Sequence, residues 1–434
     1  MEAVKKEKKS LKGYWLTTFL IGLGFFTMGL MDPLYDNYVP IFLGYYIEQN
    51  SLIGLVMTLD NILAIILIPI FSALSDKTRT RIGRRMPYIV TLLPISAVFF
   101  ALVPVMAYKS LILLVVTIFM LNISKQAVRG PVVALMPDMV PGDLRSEANG
   151  VINTMGGIAT ILGTILLARL MDVFIHVPGL GNVDKVLAFP VASVFVILAV
   201  VLLFVFVKEN RSKVSTKEDR EEKNNEPIIK SLKAVIGEKE KSVLFILLSL
   251  LCWFIAYQGI LPFVGKYTTE VLGTSAGTAA LSSGMVGVAY AIFAVPSGKF
   301  AHKHGRKKTI RWALIAIVIV LLLVFIHSAF LTNLPSMVRL LSFWVLLFFF
   351  GIFWVTVVTN SFPMLWQMAD YKTIGIYTGL YYFFSQAASI ISPPLAGGAT
   401  DLWGYPALFL YGLVFMLIAY LLMSKVNRGE PEDD

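Results

Sequence analysis

Residues 191–207 read VASVFVILAVVLLFVFV, and residues 208–227 that follow read KENRSKVSTKEDREEKNNEP. The first stretch has no charge and one hydroxyl in seventeen residues. The second is dense in both signs of charge and nearly free of large apolar side chains. A run of about twenty apolar residues is what a helix needs to cross a bilayer. A mixed-charge run with few apolar residues cannot bury enough surface to fold and stays solvated. The junction at 207/208 is therefore a membrane exit into a water-exposed linker. Comparable runs at Leu111–Leu121 and Leu314–Ile326 could not all fit inside one water-soluble core.

The whole composition agrees. The 434 residues are 57% apolar and only 15% charged, against the quarter charged of ordinary soluble domains. Applied along the chain, the length rule gives twelve spans, near 14–38, 51–74, 88–107, 110–135, 148–172, 187–207, 243–264, 278–298, 311–330, 337–362, 375–399 and 404–424. The expected domains are an N-terminal six-helix bundle (1–207), a linker (208–241) with an amphipathic helix around Ile228–Ile236, and a C-terminal six-helix bundle (242–434). The fold class is all-α, twelve transmembrane helices in two pseudo-symmetric halves.

Lys5, Lys6, Lys8, Lys9 and Lys12 precede the first apolar run, which continues to about Met31 without a small-residue cleavage site, so a retained first helix is expected. With the N-terminus inside, thirty of the 37 basic residues fall on the cytoplasmic side and three, Lys109, Lys185 and Lys266, outside. The positive-inside rule then puts both termini in the cytoplasm of a cell (plasma or inner) membrane protein. It also accounts for the net charge of +10 without a nucleic-acid partner. The single Cys252 excludes disulfides and zinc clusters built on cysteine. Gly-Lys-Thr/Ser phosphate loops, H-E-x-x-H and G-x-S-x-G are absent, so no enzyme, cofactor or metal is expected.

Polar residues inside spans are costly and mark function by default. Asn122, Lys125, Gln126 and Arg129 follow the i, i+3, i+4, i+7 pattern and form one stripe on span 4. Asp60 in span 2 and Asp32 in span 1 are the acidic counterparts. One reading makes the stripe the lining of a substrate cavity, with Asp60 or Asp32 carrying a coupling proton. The other makes it a structural ion pair that never meets substrate. Sugar sites combine aromatic faces with amides and hydroxyls, and three groups offer this: Trp253, Tyr257 and Gln258 in span 7, Trp354 and Asn360 in span 10, and Tyr381, Ser385, Gln386 and Ser389 in span 11. Each aromatic could equally be packing or lipid-facing.

The halves repeat. The loop after span 2 is SALSDKTRTRIGRR (Ser72–Arg85), and that after span 8 is GKFAHKHGRKK (Gly298–Lys308). Ala134–Asp138 after span 4 is matched by Trp366–Asp370 after span 10. A repeat of six-helix halves is the mark of a rocking transporter.

These motifs resemble the major facilitator superfamily, whose loop signature is G-x-x-x-D-R/K-x-G-R-R/K. Gly298–Lys307 is similar to it, with His302 at the usual Asp. Ser75–Ile89 (SDKTRTRIGRRMPYI) and Arg129–Gly150 (RGPVVALMPDMVPGDLRSEANG) resemble the glycoside–pentoside–hexuronide cation symporters, closest to their sucrose-transporter-like branch. The resemblance implies spans 1, 4, 7 and 10 around a central cavity, and alternating-access uptake of a small glycoside such as a disaccharide. It also implies a cytoplasmic gate, here Asp76, Arg79, Arg81, Arg84, Arg85, Asp138, Arg145 and Asp370; the bland reading of these residues is positive-inside charge and little more. The branch's Arg falls at Val133. The acidic pair of sodium-coupled melibiose permeases falls at Ala64 and Ile68, so proton coupling is expected ahead of sodium. The expected partners are a sugar, a proton and the lipid bilayer, with the chain a monomer. An efflux carrier for sugars or drugs on the same fold, and a non-transporting receptor or scaffold, are the alternatives.

Overall fold

The computed structural model describes residues 13–141, 144–209, 228–368 and 374–430. Asp370 and the side chain of Arg145, both expected in the gate, lie outside the described residues, as does most of the linker. The helices are α1 (Trp15–Leu43), α2 (Asn50–Met57), α3 (Leu59–Lys77), α4 (Met86–Ala107), α5 (Leu111–Met139), α6 (Arg145–Ile161), α7 (Ala188–Phe206), α8 (Ile228–Gly237), α9 (Ser242–Glu270), α10 (Ala276–His304), α11 (Arg306–Phe330), α12 (Ser336–Gln367), α13 (Ile374–Trp403) and α14 (Pro406–Ser424). Helix is forced because hydrocarbon offers no partner to backbone N–H and C=O groups, and a helix satisfies them internally.

Among the described residues, eleven helices are long and apolar enough to cross a membrane. They account for every expected span but the eleventh. That one is α13, thirty residues long but rich in Ser, Gly and Pro. Span 2 is not one continuous helix. It breaks between α2 and α3 at Thr58, whose hydroxyl donates to Leu55 O at 2.7 Å. Span 5 ends irregularly, passing from α6 through a π turn (Leu162–Leu166) into a 3-10 turn (Leu167–Asp172). The loop after it holds a short antiparallel hairpin, β1 (Ile175–Val177) with β2 (Gly181–Val183), which hydropathy alone did not foretell. Helix starts follow local chemistry: Ser110 and Ser275 accept from Leu113 N and Thr278 N, as N-caps do.

The chain forms two compact units. Unit 1 takes Met1–Leu34 and Ile62–Lys223; unit 2 takes Tyr35–Asn61 and Asn224–Asp434. Residues 35–61, expected with the first half, thus group with the second. The end of unit 1 that carries the 78–85 turn and the end of unit 2 that carries the Gly305 turn are each called the near end of that unit. In unit 1, Gly29 meets Gly156 so closely that a Cβ there would lie 2.3 Å from Gly156 O. In unit 2, a Cβ on Gly54 would lie 2.3 Å from Pro393 O, and one on Gly397 2.3 Å from Asn50 O. Small residues here permit backbone-to-backbone packing, as at close membrane helix crossings.

Candidate substrate and gate residues

In unit 1, the polar stripe of α5 is inside protein. Asn122, Lys125 and Gln126 are buried, at 0%, 5% and 1% exposure. The Lys125 ammonium donates to Asp32 Oδ1 of α1 at 3.1 Å. Asp32 keeps its carboxylate about a third exposed, at 36%. Arg129, one turn further along α5, is exposed and makes no hydrogen bond or ion pair among the described residues. Gln126 Oε1 is buried without a hydrogen-bond partner. The stripe therefore combines a paired charge, an open guanidinium and an unsatisfied amide. Asp60 stands in the first turn of α3, where it accepts from Asn61 Nδ2 at 2.8 Å, and it belongs to unit 2.

In unit 2, the aromatics of α9 and α12 form a stack. Tyr257 lies parallel to Trp354 with ring centres 4.3 Å apart, and parallel to Phe350 at 6.3 Å. Phe254 stands edge-on to Trp354 (5.6 Å) and to Tyr381 (6.1 Å). Beside them Gln258 Nε2 donates to Ser389 Oγ at 2.5 Å, and Asn360 Nδ2 donates to Thr356 O. Gln386 is half-buried. Trp253 is apart from this group. It is fully buried (0%), and its indole N–H has no partner, so in this conformation it offers nothing to a solute. Phe254 and Phe350 were not singled out from sequence, although each lies within four residues of one that was.

The near end of unit 1 is an ion-pair ring. Arg85 is buried, and its guanidinium reaches Asp76, Ser75 Oγ, Ser72 O and, at 3.0 Å, Asp138 Oδ2. Arg84 Nε donates to Asp138 Oδ2 at 2.9 Å, and a second Arg84 nitrogen bonds Asp138 Oδ1. The hydrogen bond with Asp138 holds the Arg84 guanidinium above its usual pKa, against the opposing effect of burial. Arg79 turns back to the carbonyls of Asp76 and Thr78, and Arg81 is exposed.

Glu209, just past α7, is a further member that the sequence reading missed. Its carboxylate accepts from the backbone N–H of Arg84, Arg85 and Met86 at 2.9–3.1 Å. It thereby fills the N-terminus of α4, where the first N–H groups of a helix lack internal partners and favour negative charge. Gly83 has φ +124°, and a Cβ there would run into Glu209. Unit 2 repeats the device. Glu430, just past α14, accepts from Arg306 N and Lys307 N at 2.7 Å, beside Gly305 with φ +89°. The signal available in the sequence was a Glu within six residues of the last apolar helix of each half.

The far end of unit 2 joins residues 35–61 to α9, α10 and α13. Asp401 accepts from Asn50 N (2.6 Å), Ser51 N (2.9 Å) and Ser51 Oγ (2.7 Å), capping α2. Lys266 donates to Asn50 Oδ1, and Ser283 Oγ donates to Asn37 Oδ1, both at 2.7 Å.

Comparison with known proteins gives the family. The sequence profile of the Major Facilitator Superfamily matches residues 14–385 and, overlapping, 267–433. A general alpha-glucoside permease of Schizosaccharomyces pombe is 27% identical over 256 residues, which is 53% of this chain and 42% of that protein. The match therefore spans less than half of that relative's length. Among solved structures, a bacterial homologue of the iron transporter ferroportin in an inward-facing state superposes with TM-score 0.71 at 16% identity, covering 96% of this chain and 99% of the other. A nucleoside transporter superposes at 0.68 and 11% identity (94% and 100% covered), and a bacterial homologue of the lysosomal transporter Spinster at 0.67 and 14% (97% of each). At such identities these structures establish the fold alone. With the profile spanning both halves of a twelve-helix chain, the protein belongs to the major facilitator superfamily of membrane transporters.

Proposed function

We propose that the chain takes up a small glycoside by alternating access, coupled to protons. The observation that carries this reading is the α5 stripe, where the exposed Arg129 guanidinium keeps open hydrogen-bonding capacity one turn from the Lys125–Asp32 pair, whose carboxylate is part exposed. A planar guanidinium suits vicinal hydroxyls. Unit 2 by itself offers an aromatic stack of Tyr257, Trp354 and Phe350 flanked by Gln258 and Ser389, side-chain types that suit the faces and hydroxyls of a sugar. The alpha-glucoside permease relative supports a sugar as the solute.

Coupling is assigned to Asp32, with Asp60 as the second candidate. Asp32 is the carboxylate that both reaches solvent and pairs with the buried cation of the stripe, the geometry a coupling site needs. The ring of Asp76, Arg84, Arg85 and Asp138 serves as the cytoplasmic gate, and the chain works as a monomer in the cell membrane with both termini inside.

The test is counterflow of labelled maltose, sucrose and melibiose into proteoliposomes, followed by accumulation under an imposed pH gradient. Saturable sugar counterflow with pH-driven accumulation supports the proposal. Transport of hydrophobic cations with no sugar counterflow would replace it with the efflux carrier.

A further inference from the structure

The two repeated loops differ in what answers their positive charge. In the first, Asp76 and Asp138 take Arg84 and Arg85. The second reads GKFAHKHGRKKTIRW from Gly298 to Trp312, with six cations, and no Asp or Glu occurs anywhere between Glu270 and Asp370. Two of the six find partners within unit 2. The Arg306 guanidinium donates to Pro363 O at 3.2 Å, and that of Arg311 to the Tyr420 hydroxyl at 3.1 Å. Glu430 reaches this loop, but it is committed to the backbone N–H groups of Arg306 and Lys307. Lys299, Lys303 and Lys308 are exposed and make no hydrogen bond or ion pair among the described residues.

Two of these lysines flank a ring cluster that joins α10 to α11. Phe300 stacks on His304 with ring centres 4.3 Å apart, and Trp312 lies 6.0 Å from Phe300 and 6.1 Å from His304. His304 Nδ1 stands 3.1 Å from Phe300 O, which can only accept, so that nitrogen carries a proton and the ring is held against Phe300. Lys303 is the chain neighbour of His304. Lys308 lies one turn before Trp312 on the same face of α11. The rings are on the outside. Phe300 is 45% exposed and Trp312 52%, and Ile315 and Ile319 continue the exposed apolar face of α11 away from the near end.

A soluble anion would answer the lysines and leave the rings bare. An apolar occupant would cover the rings and leave the charge unanswered. An amphiphile with an anionic head does both. Lysine stems lie along apolar surface while the ammonium reaches the interface, where tryptophan also sits. Basic clusters beside membrane helices draw anionic lipid. We propose that this edge of α10 and α11 holds an anionic phospholipid, with its phosphate at Lys303 and Lys308 and an acyl chain along Phe300, Trp312 and Ile315. Lys299, one turn before Lys303 on α10, adds to the attraction.

Brominated lipid is the probe. The full-length protein is placed in vesicles of phosphatidylcholine and phosphatidylglycerol in fixed proportion, with acyl-chain bromine on one lipid or on the other, and tryptophan fluorescence is read. The quenching lost in Trp312→Phe reports the lipid beside Trp312. Brominated phosphatidylglycerol should quench that component more than brominated phosphatidylcholine at equal mole fraction. A lysine near an anionic surface favours binding about fivefold, so Lys303→Gln combined with Lys308→Gln should bring the two lipids close to parity. Lys239→Gln combined with Lys425→Gln removes the same charge from exposed positions elsewhere at the near end of unit 2 and should keep the preference. Equal quenching by the two lipids beside wild-type Trp312 would overturn the proposal and leave an ordinary lipid-facing surface. A preference that survives loss of Lys303 and Lys308, or that falls equally in both double variants, would overturn it in favour of diffuse attraction by net charge.

Discussion

Glu209→Ala should destabilise the protein far more than Glu430→Ala, although the two glutamates perform the same capping act in the two halves. Glu209 is 8% exposed and accepts three backbone N–H bonds. Pro87 has no N–H and the amides of Tyr88 and Ile89 already bond Arg85 O, so the N–H groups of Arg84, Arg85 and Met86 are the ones left without an acceptor when it is removed. A buried donor left unsatisfied costs about 1–3 kcal/mol. Three such donors, with partial relief from water entering beside half-buried Arg84, come to about 4 kcal/mol. Glu430 is exposed and accepts two bonds, so water takes its place on removal and the cost falls to roughly 0.5–1 kcal/mol, that of an exposed N-cap. At about 2–4 °C per kcal/mol for a unit of this size, Glu209→Ala lowers the midpoint by roughly 8–16 °C and Glu430→Ala by roughly 1–4 °C. Glu209→Gln keeps an acceptor oxygen and should fall between. The assay is thermal unfolding in detergent, read by circular dichroism and by tryptophan fluorescence. Equal shifts for the two alanine variants would refute the argument, because burial of the cap and the third N–H it accepts are its only sources of difference.

Three further outcomes are expected. Asp76→Ala should leave substrate affinity within a few-fold but slow transport, because Asp76 bonds Arg85 in the ring and not the solute; equilibrium dialysis beside flux measurements separates the two. Sodium should not drive uptake, since Ala64 and Ile68 stand where sodium-coupled relatives carry carboxylates; steep sodium dependence in proteoliposomes without a pH gradient would contradict this. Gly54→Val should loosen the packing of α2 on α13, since its Cβ would sit 2.3 Å from Pro393 O, and a cysteine placed at Ser51 should then label faster from outside, against the quiet background of buried Cys252.

The helices were legible because hydrocarbon leaves the backbone no alternative, so apolar length alone fixes them. The stripe on α5 was legible for the same reason, since four polar residues at helical spacing inside a span must share a face. The break at Thr58 was not, because a hydroxyl that takes a carbonyl one turn back looks like any threonine in an apolar run. Trp253 shows the limit of composition: sequence put it near an amide, but whether an indole faces a solute or the interior depends on neighbours that spacing does not name. The same limit hid Phe254 and Phe350, whose value comes from standing across from Trp354 and Tyr257. The grouping of residues 35–61 with the second half rests on long-range contacts, Asp401 with Asn50 and Gly397 against the same turn, and no local pattern carries such information.

The repeated motif also has a consequence that its letters do not state. Gly83-Arg84-Arg85 and Gly305-Arg306-Lys307 place equivalent helix starts under equivalent carboxylates, so the backbone chemistry of the two loops is the same. Their surroundings differ. In the first loop Asp76 and Asp138 close a ring around a buried Arg85, whereas in the second the family's Asp is the exposed His302, and among the described residues the Arg306 guanidinium finds only Pro363 O. Exposed charged contacts contribute little because water competes for them, while buried charges that lose a partner are costly. The second loop can therefore rearrange at small cost and the first cannot. The Asp76–Arg85–Asp138 ring is therefore the stiffer of the two repeated corners, and the Gly305 loop the one that rearranges more readily.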